Sequence, residues 1–239
     1  MAAGGLLAQA QLAARAPLPS FEDLDLSGSY GEHSDTRAPV RMTVLGDSTL
    51  TGPGLLHGSQ VWLARIAARL DHPVTLRSFA RGGSRVGAVL RNQLPAATAD
   101  PTDMFVVSVG GNDAVHATTS RRYRNDLAEL LDGLRPHAPV TTLGIGDMSM
   151  IPRIPTTLKP LLVSRCRALD RAHAAVCAER DAVHRIPVSE SSDPHFREGG
   201  ERLFAGDLFH PNVAGHALLA DLFEPWIQRA MSHMPFAPI

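Results

Sequence analysis

The chain has 239 residues, 44% hydrophobic and 20% charged, with a formal net charge of −1. That balance describes a globular protein with enough length to bury a sizeable core, and it argues against disorder. Without a basic field there is no electrostatic reason to expect nucleic acid or an anionic membrane as partner.

In chain order, the opening "MAAGGLLAQAQLAARA" lacks a positively charged start, and its apolar run is too short for a signal peptide or a membrane span. No stable membrane insertion is expected, although the small residues around Ala8 and Ala10 leave open a trimmed export or anchor segment. The compartment stays undecided between cytoplasmic and exported. Residues 17–38 are polar, acidic, rich in turn formers and aperiodic, so residues 1–38 are expected to be an extension and linker before a domain at 39–239.

From there strands and helices alternate. Extended apolar runs lie at 40–46, 74–80, 103–110, 140–145 and 182–188. The first intervening helix is expected to be capped by Ser59, with Trp62, Leu63, Ile66, Ala67 and Leu70 on one face. Val86, Val89, Leu90 and Leu94 make a second stripe. Leu127, Leu130, Leu131 and Leu134 make a third, ended by Pro136, and two longer helices are predicted over about 158–180 and 212–230. Five such units predict an α/β fold, a three-layer α/β/α sandwich around a flavodoxin-like five-stranded parallel sheet in the order 2-1-3-4-5. Cys166 and Cys177 fall on one helix about 16 Å apart, too far to pair, and read as buried thiols.

An open sheet of that order binds ligands outside the carboxyl ends of its strands, between strands 1 and 3. Those ends carry "GDS" (46–48) and "GGND" (110–113), and a third polar stretch, "DLFHPNVAGH" (207–216), precedes the last helix. A nucleophilic serine needs a base, a group orienting that base, and donors for an oxyanion. Ser48, His210, Asp207 and Asn112 are of those types. Each also has an ordinary reading: Ser48 or Asp47 as a helix cap, Asn112 and Asp113 as an Asx turn, His210 as turn chemistry. Asp207 and His210 are three apart, directly before Pro211, which suits the start of the following helix. No G-x-S-x-G occurs, which argues against the nucleophile elbow of α/β-hydrolases.

These blocks together resemble the SGNH hydrolases, the GDSL lipase/esterase family. "GDS" matches its first block, "ARGGSRV" (80–86) resembles its second, "GGND" its third and "DLFHP" (207–211) its last. The resemblance implies a Ser48–His210–Asp207 triad with an oxyanion hole from the Ser48 and Gly83 N–H groups and the Asn112 side chain. Gly82 is the alternative to Gly83 by one position, and Ser78 stands where the second block begins with asparagine. It implies hydrolysis of acyl esters through an acyl-enzyme, with no metal or cofactor and a small acyl ester as partner. The family also includes thioesterases, carbohydrate deacetylases and acyltransferases, which use the same triad. A silent acyl-binding fold is disfavoured by the complete residue set.

His116, beyond the Asn112 block, together with Met148 and Met150 after strand 4, is expected at the substrate; core filling is an equal reading of the methionines. The chain is expected to be monomeric. Its arginine-rich composition, with Lys159 the single lysine, suggests an actinobacterial source.

Overall fold

Short β-branched and aliphatic runs bounded by turn residues become the strands, as their pattern demands. In the computed structural model, which describes residues 21–31 and 37–232, β1 is Gly28–Tyr30, β2 Val40–Gly46, β3 Val74–Ser78, β4 Met104–Ser108, β5 Val140–Leu143 and β6 Val183–Ile186. They form one sheet in the order β1-β3-β2-β4-β5-β6. The five strands β3-β2-β4-β5-β6 are mutually parallel, as the sequence predicts, with Val40 beside Val74 and Phe105 beside Val140.

The difference is at the edge. β1 pairs antiparallel with β3, Gly28 opposite Leu76, so the sheet has six strands. It arises inside the stretch expected to be a linker, where Leu26 is fully buried. The strands also stop earlier than their apolar runs, at Ser78, Ser108, Leu143 and Ile186. Beyond those points the backbone leaves the ladder to build loops.

Side chains alternate across the sheet. Met42, Val44, Met104 and Val106 face one helical layer, made by α1 (Trp62–Ala67) and the last helix, α8 (Val213–Ser232). Trp62 and Phe223 meet there edge to face, centroids 5.4 Å apart. Leu45, Phe105, Val107 and Val140 face the other layer, made by α2 (Val86–Asn92), α5 (Ser120–Leu134) and α6 (Lys159–Ala178). Fully burying each such side chain is worth roughly 1.5–3 kcal/mol, which is what holds the three layers together. α3 (Leu94–Ala97) and α4 (Gly111–Val115) are single turns.

Two helical expectations change. Val61, not Ser59, precedes α1, because Gly58–Gln60 forms a separate 3-10 turn. A further helix, α7 (Val188–Gly199), follows β6 and contains Pro194. Cys166 and Cys177 both lie buried and unpaired on α6. Among the described residues no helix is long and apolar enough to cross a membrane.

Candidate active site

Three loops at the carboxyl ends of β2, β3 and β4 converge with the turn before α8. The first begins at Gly46, where β2 runs against β4. A Cβ there would stand 2.1 Å from the Ser108 carbonyl oxygen, so only glycine fits. The Gln93 side chain clamps this residue, accepting from the Gly46 N–H at 2.8 Å and donating to its carbonyl at 2.9 Å.

Asp47 follows, buried, its Oδ1 accepting from the Thr49 N–H and hydroxyl at 3.1 and 2.9 Å. Asp47 is therefore the residue that caps the turn. Among the described residues the half-buried Ser48 hydroxyl makes no hydrogen bond within the fold, while the Ser48 carbonyl accepts from Thr51 and Gly52. Burial raises the Asp47 carboxyl to about 6 against the bonds from Thr49 and Asn112, which favour its charge; Asp113 adds to the rise.

The second loop, after β3, carries the paired glycines, and each has its own reason. The Gly82 N–H donates to both carboxylate oxygens of Asp23 at 3.0 Å, and a Cβ on Gly82 would lie 2.7 Å from Asp23 Oδ1. Gly83 adopts φ +73°, exposed, with open space around it. Its N–H has no acceptor among the described residues.

Asn112, in α4, joins these two loops. Its side-chain N–H groups donate to Asp47 Oδ2 at 3.4 Å and to the Ser84 carbonyl at 3.3 Å. Both contacts are at the long, weak end of the range. Asp113 accepts from the Val86 N–H at 2.9 Å and so fixes the start of α2 behind the glycine loop. The exposed His116 turns back, its Nδ1 2.9 Å from the Asn112 carbonyl.

The fourth segment holds Asp207 and His210, both buried. Asp207 Oδ2 lies 2.7 Å from His210 Nδ1, and Oδ1 accepts from the Phe209 and His210 N–H groups. Burial raises the Asp207 carboxyl, but the His210 ring and these N–H groups outweigh it, so its pKa is held below the ordinary value. Between them Leu208 is forced to φ 56°, a conformation that costs a branched residue about 1 kcal/mol or more. Pro211 lies outside the helix that follows. Asn212 caps α8 instead, accepting from the Ala214 and Gly215 N–H groups.

The loop after β5 braces this turn: the Arg153 N–H donates to the Leu208 carbonyl at 3.0 Å and its guanidinium to the Asp207 carbonyl at 3.4 Å. Met148 and Met150 are only partly buried and pack against the core, Met148 beside Gly111. The loop after β2 reaches the same turn, since a Cβ on Gly54 would meet the Ala205 side chain at 2.9 Å. No hydrogen bond joins Ser48 to His210 among the described residues.

Two further buried histidines serve packing. His173 bonds the Tyr123 hydroxyl and Thr142 at 3.1 Å, His216 accepts from the Trp62 N–H at 3.3 Å, and burial lowers both to about 3. Among the described residues, no group of three His, Cys, Asp or Glu side chains is placed to hold a metal ion. Sequence reading missed Asp23, Gln93 and Arg153, whose roles depend on partners 47 to 59 residues away. No local pattern marks them.

Comparison with known proteins shows the family and the fold. A family model described as the GDSL-like Lipase/Acylhydrolase family matches residues 44–218. A GDSL-like esterase of Mycobacterium tuberculosis is 29% identical over 206 residues, 84% of this chain and 65% of the relative, so the chain spans about two thirds of that protein's length. Among solved structures, a lipolytic protein of the G-D-S-L family from Veillonella parvula superposes with a TM-score of 0.66 at 20% identity, covering 80% of this chain and 99% of that one. TesA superposes at 0.64 with 23% identity over the same shares. At these identities the two structures speak for the fold.

Proposed function

Because the chain belongs to the GDSL-like lipase/acylhydrolase family, we propose that it is a serine esterase that cleaves carboxylic acyl esters through Ser48, His210 and Asp207. One observation carries the reading: the Asn112 side chain touches both the residue before Ser48 and the residue after Gly83. It brings together the three blocks that carry Ser48, Gly83 and Asn112.

In this reading His210 takes the Ser48 proton at Nε2 as the hydroxyl oxygen attacks the ester carbonyl. Asp207, bonded to Nδ1, fixes the tautomer and stabilises the imidazolium. The Ser48 and Gly83 N–H groups and the Asn112 amide receive the oxyanion. The long Asn112 contacts cost little to exchange for a charged acceptor. Collapse expels the alcohol, protonated by His210. Water, deprotonated by His210, then attacks the acyl-enzyme and releases the acid. The substrate is a small-molecule acyl ester; the partly buried Met148 beside Gly111, with Met150 two residues on, supports an apolar wall near the acyl group.

The test is hydrolysis of p-nitrophenyl esters from acetate to palmitate by the wild type and Ser48→Ala. The expected result is a Ser48-dependent rate with a chain-length optimum. A folded wild type inactive on every ester, or a Ser48→Ala protein as active as wild type, would overturn it.

A further inference from the structure

The segment before the matched family region is bonded to the loops that carry the chemistry. Asp23 takes the Gly82 N–H with both carboxylate oxygens, the Ser27 hydroxyl accepts from the Ser78 N–H at 3.0 Å, and the Leu24 N–H donates to the Thr51 carbonyl at 2.9 Å. Leu26 anchors the strap in the core, and β1 zips it to the edge of β3. The strap therefore ties the loop after Ser48 to the glycine loop, from outside residues 44–218.

We propose that Asp23 is a positioning residue of the oxyanion hole. This rests on the reading of Gly83 as an oxyanion donor. An exposed loop with two adjacent glycines has many backbone conformations open to it, and a donor that wanders stabilises no transition state. The charge-assisted, two-oxygen bond to Gly82 removes that freedom one residue before Gly83. It also occupies the wrong amide, leaving Gly83 as the one free to turn to the substrate. A side chain on Gly82 would push the Asp23 carboxylate aside, since its Cβ would stand 2.7 Å from Oδ1. Ser27 serves the same end at Ser78, where the second family block has an asparagine. The strap acts on donor placement and not on substrate affinity.

The experiment compares wild type with Asp23→Ala and Asp23→Asn, reading kcat and KM on p-nitrophenyl butyrate, the Ki of phenylboronic acid as a tetrahedral mimic, and Tm. Asp23→Ala should lower kcat about tenfold with KM nearly unchanged, less than the ~10²–10³ of deleting a donor outright. The boronate Ki should rise in step with the fall in kcat/KM. Asp23→Asn should recover most of the loss, since its amide oxygen still accepts from Gly82. Should Asp23→Ala not fold, Asp23→Glu, which keeps the charge but displaces it by one methylene, should lower kcat with Tm held. Unchanged kcat and boronate Ki in the folded variants, with wild type active, would overturn the role of Asp23 alone. A wild type that neither hydrolyses the ester nor binds the boronate would remove the esterase reading and this inference together.

Discussion

Asp207 and His210 meet at 2.7 Å through Oδ2 and Nδ1, with both side chains almost wholly withdrawn from solvent. The carboxylate receives two further backbone N–H groups, so it is fixed before the ring reaches it. Replacing Asp207 by asparagine keeps the shape but presents an amide to Nδ1. The wrong tautomer then faces Ser48, and kcat should fall by ~10³–10⁴ with KM little changed. Steady-state kinetics on a p-nitrophenyl ester would check this, and a loss confined to KM would contradict it.

Asn112 offers a separable contribution. Its removal takes away one oxyanion donor and the link between the Asp47 and Ser84 loops. Asn112→Ala should therefore lower kcat by ~10²–10³ while the protein still reacts, slowly, at Ser48. A folded variant with wild-type kcat would exclude the amide from the site.

Gln93 shapes the loop without touching substrate. Gln93→Leu strands the buried Gly46 N–H, while the Gly46 carbonyl keeps the Arg81 N–H, at a cost of ~1–3 kcal/mol in stability. Urea unfolding should show the loss in midpoint with an unchanged slope. An unaffected midpoint would mean water replaces the clamp.

Asp47 makes stability depend on pH in the opposite sense to Asp207. With a folded pKa of about 6 against an ordinary 3.8, the native state keeps a proton that the unfolded chain releases between those values. Its contribution is full below about pH 4 and is lost as pH rises through 6, by on the order of 3 kcal/mol. Asp207, held low, contributes stability above its ordinary pKa and loses it as pH falls. The difference in unfolding free energy between Asp47→Asn and wild type should therefore shift in the variant's favour between pH 4 and 7.5. A difference independent of pH would contradict the buried, proton-holding carboxyl.

What the sequence shows of this fold depends on how local the cause is. "MFVVSV" is apolar on both faces, which suits a strand buried on both sides, and with its helical neighbours it makes the parallel sheet legible. β1 is not: three residues in a polar stretch, two of them exposed, become a strand because β3 offers an unpaired edge and Leu26 an anchor. α7 is hidden by "SESSDP", whose polar run and Pro194 look like a turn. At the site, Ser48, Asn112, Asp207 and His210 stand in compact blocks that can be read directly. Asp23, Gln93 and Arg153 act through hydrogen bonds between loops far apart in sequence, and only the folded chain brings their partners together.

The most direct measurement is the site of covalent labelling by a fluorophosphonate, which reports an activated serine without needing the natural substrate. The account predicts a single adduct, located by peptide mass spectrometry on Ser48 and slowed at least ~10³-fold in His210→Ala. Labelling at another residue, or none in the folded wild type, would contradict it.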